Sequence, residues 1–235
     1  MRSRTLVTIG AVGAAAWSAP AAAPFVPALA RALRVPTRHA GERGVALTFD
    51  DGPHVDGTPA VLAALDRAGA TATFFLVGEQ VERNPSLAAE VVAAGHEVGL
   101  HGFRHRMHIL RTPRALVDDL ERAIATIEDA AGVATAWYRP PFGVFSLASL
   151  DLVRSSGRRP ILWSRWGRDW RTSATPESIA AEAATDLGGG DVVLLHDADH
   201  YSSPGSWRRT VAALPAVVES VAARGEPFVP LSQPT

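Results

Sequence analysis

Short apolar runs alternate with segments of helical periodicity along most of this chain. Val45-Ala-Leu-Thr-Phe49 reads as a buried strand, and Thr71–Val77 (TATFFLV) as a second. His96–Leu100, Trp137-Tyr138, Pro160–Trp163 and Asp191–Leu195 continue the series. Between them lie amphipathic stretches: 58–68, opened by Thr58-Pro59 and stopped by Gly69, and 86–94, ended by Gly95. Residues 113–131 carry Leu116, Leu120, Ile124 and Ile127 at helical spacing, and helices are predicted at 147–155, 176–187 and 207–223. Pro227-Phe-Val follows the last of them. Strand and helix in alternation predict parallel βαβ units in an α/β fold. With six or seven strands, an open doubly wound sheet and a closed barrel both fit.

The chain has 235 residues, 47% of them hydrophobic, which suits one domain with a sizeable core. A net charge of −1, with basic residues spread thinly, offers no electrostatic footprint for nucleic acid. No protein partner is indicated either. Without cysteine, thiolate metal sites, disulfides and cysteine nucleophiles are excluded. Residues 1–43 stand apart: Met1–Arg4 is a basic start, Thr5–Trp17 is uncharged and apolar, and Ala19-Pro20-Ala21 resembles a cleavage site. They read as an export signal or envelope anchor plus linker, with membrane association through this segment as a corollary and a cytoplasmic location left open. Pro20, Pro24 and Pro27 argue against a bilayer-spanning helix. The folded domain is expected over 44–235.

Charged and imidazole side chains break the apolar pattern just after the predicted strands, where α/β folds bind ligands. Asp50-Asp51-Gly-Pro53 follows the first strand, and His101-Gly-Phe-Arg-His105 the third. Arg139-Pro-Pro-Phe-Gly143 follows the strand at 137–138, Asp169-Trp170 trails the one at 160–163, and His196 ends the last. Two histidines four apart share a face if that segment is helical, and one carboxylate would complete a two-His, one-Asp metal set with open positions. Alone, His-x-x-x-His is weak; beside a tandem Asp it gains force. Adjacent buried carboxylates need a cation or donors, and strand alternation would send one to the metal and the other to the attacking water. Arg139 is the expected counter-charge for the base. His196, oriented by Asp169, is the candidate proton donor.

Thr48-Phe-Asp-Asp-Gly-Pro53, His101-x-x-x-His105, Arg139-Pro-Pro-Phe-Gly143, Asp169-Trp170 and Leu194-Leu-His196 occur in the order and near the spacing of the polysaccharide deacetylase family, which the chain resembles over about residues 45–197. The resemblance implies a single-domain distorted (β/α) barrel of about seven strands. It implies Asp50 as general base and Asp51, His101 and His105 as ligands to one divalent metal, zinc or alternatively cobalt. Arg139 would position Asp50, and Asp169 would tune His196 as general acid. Trp170 and Leu194 would line the acetyl-methyl pocket, while the backbone N–H near Phe142 would help hold the oxyanion. The substrate implied is an acetylated carbohydrate such as chitin oligomers or peptidoglycan, with N-acetyl favoured over O-acetyl. One departure stands out: the family often carries Ser or Thr after the first metal histidine, and here it is Gly102.

Other residues are less pointed. His54, His108 and His200 are groove candidates or plain loop histidines, and His96 is read as structural. Tyr201, Trp207 and Trp166 are candidate sugar platforms. Gly188-Gly-Gly190 lacks the Lys-Ser/Thr of a phosphate loop. Two rival readings keep the same residues: a carbohydrate-binding protein without catalysis, and a non-haem iron oxygenase. A serine hydrolase lacks its G-x-S-x-G elbow.

Overall fold

The computed structural model describes residues 17–232. Seven parallel strands form one sheet: β1 (Ala46–Asp50), β2 (Ala72–Leu76), β3 (Glu97–Leu100), β4 (Trp137–Tyr138), β5 (Arg159–Pro160), β6 (Arg165–Trp166) and β7 (Val192–His196). Their order is β5-β4-β3-β2-β1-β7-β6, so the first and last long strands are neighbours. Helices cover the sheet, and the sheet curls into a distorted (β/α) barrel that stays open between β5 and β6. The strands β1, β2 and β7 are buried throughout, which explains why they read as continuous apolar runs rather than alternating ones.

The helices are α1 (Pro27–Ala32), α2 (Gly57–Ala68), α3 (Gly78–Arg83), α4 (Pro85–Ala93), α5 (Pro113–Ala131), α6 (Leu147–Ser155), α7 (Pro176–Ala184) and α8 (Ser206–Ala222). Helix α5 begins where Thr112 accepts a hydrogen bond from the Ala115 N–H and Pro113 occupies the first turn. It buries Leu116, Leu120, Ala123 and Ile127 against the sheet. Helix α6 starts at a reciprocal Ser146–Ser149 capping box.

Two elements differ from the sequence expectation. The strand expected at 160–163 is interrupted: Ile161 N–H still reaches the Tyr138 carbonyl, but Leu162 N–H turns to Pro36. The ladder resumes two residues later as β6, beside β7, an element too short to show a period. Residues 227–229 contribute only an isolated bridge, Val45 to Phe228.

Residues 1–16 of the expected export signal lie outside the described residues. Residues 17–43, set aside in the sequence reading, pack on the domain. Ala23, Ala30 and Val35 enter the main core, Arg38 pairs with buried Asp191, and Trp17 donates its indole N–H to the Ile109 carbonyl. Among the described residues, no helix is long and apolar enough to cross a membrane.

Candidate active site

Strand register assembles the site. Asp50, the last residue of β1, pairs with His196 at the end of β7, and Leu100 of β3 pairs with Tyr138 of β4, which brings His101 beside Arg139. All the strands run the same way, so their carboxyl ends converge on one cavity of about 480 Å³. Asp50, Asp51, His101, His105, Phe142, Trp170, Leu194 and His196 line it; Arg139 and Asp169 stand fully buried behind it.

Arg139 donates from one nitrogen to Asp50 Oδ1 at 2.7 Å and to Thr48 Oγ1 at 2.8 Å. Its other terminal nitrogen reaches the Leu162 carbonyl at 2.9 Å, the group freed where the expected strand breaks. The guanidinium lies 4.1 Å from the centre of the Phe75 ring. Burial pulls the Arg139 pKa down, and the Asp50 charge opposes it. Removing either partner would strand a buried charge.

The tandem carboxylates do not alternate. Asp51 has left the strand, with φ at 78°, a left-handed conformation uncommon outside glycine. Both carboxylates therefore face the same histidine: His101 Nε2 is 3.4 Å from Asp51 Oδ1 and 3.8 Å from Asp50 Oδ2. The two histidines are not on a helix either. Their loop turns at Gly102, φ 83°, and brings the rings to 5.3 Å. His105 Nε2 sits 3.1 Å from Asp51 Oδ1, and its ring stacks on Tyr201 at 4.1 Å and 12°. Tyr201 is held in turn, donating to Glu79 at 2.7 Å and accepting from Gln80 at 2.8 Å.

The donor chemistry fits a cation. His101 Nδ1 lies 2.8 Å from the Arg139 carbonyl, which can only accept, so that nitrogen carries the proton and Nε2 presents its lone pair to Asp51. Asp51 Oδ1 is buried with no hydrogen-bond partner. One ligand atom from each of Asp51, His101 and His105 lies within 4.8 Å of the others. Lone pairs converging in a buried pocket repel unless a positive ion sits among them.

His196 is held by Asp169 through both its ring and its backbone. Its Nδ1 meets Asp169 Oδ1 at 2.8 Å, while its backbone N–H and the Thr210 hydroxyl both donate to Asp169 Oδ2 at 2.7 Å. Burial alone would lower the imidazolium pKa. The Asp169 charge and hydrogen bond, helped by Asp51 and Asp50, push it up to about 10. A cation on Asp51 would relieve part of that. Trp170 packs edge-on to the His196 ring at 5.5 Å, and Leu194 lies beside it on β7, paired with Trp166 of β6.

Sequence reasoning passed over Asp197. It is fully buried, accepts from the Thr58 hydroxyl, and its carboxyl is pushed up to about 7, chiefly by burial. A Cβ added at Gly52 would sit 2.5 Å from its Oδ2, so the glycine of the Asp-Asp-Gly-Pro run is a steric requirement. The pairing joins positions 139 residues apart, beyond any local pattern. His108 is buried against Tyr138 rather than facing the groove, and Trp207 is core. His54 and His200 sit with Asp199, but His54 Nδ1 accepts two backbone N–H groups. Its proton is therefore on Nε2, which meets Asp199 at 3.2 Å, and the cluster is closed by hydrogen bonds.

A family model described as polysaccharide deacetylase matches residues 37–161, more than half of the chain. The chain belongs to the polysaccharide deacetylase family. As a polysaccharide deacetylase it is 35% identical over 200 residues to a peptidoglycan-N-acetylglucosamine deacetylase of Bacillus cereus, covering 82% of this chain and 88% of that one. It is 32% identical to a chitooligosaccharide deacetylase of Azorhizobium caulinodans, over 81% and 93% of the two chains. In structure it resembles a peptidoglycan N-acetylglucosamine deacetylase crystallised with a benzamide ligand: TM-score 0.80, 26% identity, 89% and 95% coverage. An acetyl xylan esterase from Clostridium thermocellum with a cobalt ion (TM-score 0.71, 30% identity, 80% and 87% coverage) and a pseudoenzyme from Bacillus anthracis (0.71, 25%, 80% and 63%) share the deacetylase fold.

Gly102 differs from the Ser or Thr expected of such a deacetylase. A Cβ there would lie 3.2 Å from Asp119 Oδ2, on a backbone of φ 83°. Gly102→Ser is expected to cost about 1–2 kcal/mol of stability without tightening metal binding. Urea unfolding together with zinc titration checks both halves.

Proposed function

We propose that the protein is a divalent-metal-dependent hydrolase that removes N-acetyl groups from an N-acetylglucosamine polymer, with chitin oligomers and peptidoglycan as the leading substrates. The observation that carries this reading is one cavity faced by Asp50, by three converging side chains able to hold an ion and by a His196 whose Nδ1 is held against Asp169. The two relatives described above, both named for N-acetylglucosamine-based substrates, support the choice of polymer.

Asp51, His101 and His105 would hold the ion. When bound, it supplies Lewis-acid polarisation of the acetyl carbonyl and positive charge against the developing oxyanion; zinc is the ion proposed, with cobalt as substitute. Asp50, held in place by the Arg139 hydrogen bond, takes a proton from water as the water oxygen bonds to the acetyl carbon. Trp170 and Leu194 enclose the methyl group, and the backbone N–H near Phe142 donates to the oxyanion. As the C–N bond breaks, His196 Nε2 gives its proton to the departing amine. Acetate and a free amine leave; Asp50 and the new acetic acid each release a proton to solvent, and His196 takes one back, which resets both groups.

Export through residues 1–21, with cleavage or retention as an envelope anchor, completes the proposal; the basic start and apolar run support it. The test is acetate release from N-acetylglucosamine oligomers, peptidoglycan and acetylxylan, with protein stripped by chelator and then given zinc or cobalt. Stripping is expected to lower the rate on the order of 10²–10³-fold, and metal to restore it without oxygen. Acetate release indifferent to the metal would sink the metal-dependent reading. Tight metal binding with no acetate from any polymer would favour a carbohydrate-binding protein, and turnover that needs iron and oxygen the oxygenase.

A further inference from the structure

Aromatic rings continue outward from the catalytic cavity. Trp170, edge-on to His196, contacts Trp166 at 5.6 Å; Trp166 contacts Trp163 at 5.9 Å and Phe25 at 6.4 Å. All four line the same cavity. Phe25 comes from the N-terminal segment, far in sequence from every catalytic motif. The segment is anchored at Ala23 and Ala30, 1% and 3% exposed, and Pro24 lies against Gly143 of the Arg-Pro-Pro-Phe-Gly loop, where an added Cβ would sit 3.2 Å from its ring. The segment is tied down further by Arg154, which donates to the Arg34 carbonyl at 3.0 Å. Phe25 stands 67% exposed at the cavity mouth, with the half-exposed Phe142 in the same lining, and Val26 beside it is 43% exposed. A large aromatic ring left in water on an anchored segment is unfavourable by itself, and its place beside a polar reaction centre suits a ligand with an apolar face.

We propose that Phe25 and Trp166 form a sugar-binding platform for the polymer unit next to the one being deacetylated, so that the N-terminal segment is part of the substrate groove. The inference rests on the deacetylase reading. A pyranose ring has axial C–H groups on its faces and hydroxyls at its rim, so it covers an aromatic surface while the hydroxyls stay in water. Asp51, His101, His105 and Phe25 line one cavity of about 480 Å³, and the proposal places the second sugar unit at its Phe25 end. A monosaccharide placed for reaction would leave Phe25 bare.

Phe25→Ala is therefore expected to raise KM for the N-acetylglucosamine pentamer about tenfold more than for N-acetylglucosamine itself, with Phe25→Tyr restoring most of the loss. Binding is read separately in the Asp50→Asn background, from quenching of tryptophan fluorescence by the pentamer, with and without Phe25. About tenfold weaker binding without Phe25 supports the platform, even if the native chain releases no acetate. In that case the deacetylase reading fails and the platform stands. Equal losses on monomer and pentamer would put Phe25 over the reacting unit and overturn the proposal. Unchanged pentamer binding and KM would overturn it too, leaving the deacetylase reading intact.

Discussion

Asp50→Asn is expected to lower kcat on the order of 10³-fold or more while zinc binds as before. The side chain keeps its shape. With Arg139 donating to the position of Oδ1, the new amide will turn its oxygen there and its NH₂ toward His101. The Arg139 hydrogen bond survives, but the site loses its only carboxylate that both lines the cavity and stands outside the ligand triad among the described residues. General-base catalysis supplies roughly 10²–10⁴-fold, and the charge lost here also balances a buried guanidinium, so the upper half of that range applies. The loss should be similar for N-acetylglucosamine oligomers and for p-nitrophenyl acetate, because both need an activated water. Steady-state kinetics with both substrates, beside a zinc titration, check this. A variant retaining a tenth of the native rate would remove Asp50 from the base role.

Asp169→Asn should cost about 10²–10³-fold on amide substrates and far less on p-nitrophenyl acetate. Two donors, the His196 N–H and the Thr210 hydroxyl, converge on Asp169 Oδ2 and will hold the amide oxygen at that position. The NH₂ is then forced toward His196 Nδ1, where it can only donate. His196 becomes neutral with its proton on Nε2, a weak acid in place of an imidazolium. An amine cannot leave unprotonated, whereas p-nitrophenolate can, so the two substrates separate the acid from the base. Equal losses on both would mean that Asp169 shapes the cavity rather than charging His196.

The gathering of the candidate ligand and acid–base residues was legible because chemistry needs particular side chains and α/β topology puts them after strands. Asp50-Asp51, His101, His105, Arg139, Asp169 and His196 all follow apolar runs, and all are gathered at one cavity or directly behind it. Three features had no local signature. Asp197 meets Gly52 and Thr58 only through the pairing of β1 with β7. The short β6 has two residues, too few for a period. Trp166 was visible only as an aromatic, and Phe25 was set aside with the leader.

What the sequence by itself determined is the periodicity of the long elements, hence an α/β chain, and the residue types at each strand end. It also carried the five motifs that resemble polysaccharide deacetylases. What only the tertiary structure decided is how those side chains face one another. Strand alternation would have sent Asp50 and Asp51 apart, but the left-handed Asp51 turns them to one histidine, and a loop rather than a helix pairs His101 with His105. The physical reason is range. Hydrophobic periodicity reports burial along a few turns of chain, whereas the direction of a side chain at a strand end depends on backbone torsions set by contacts more than a hundred residues away.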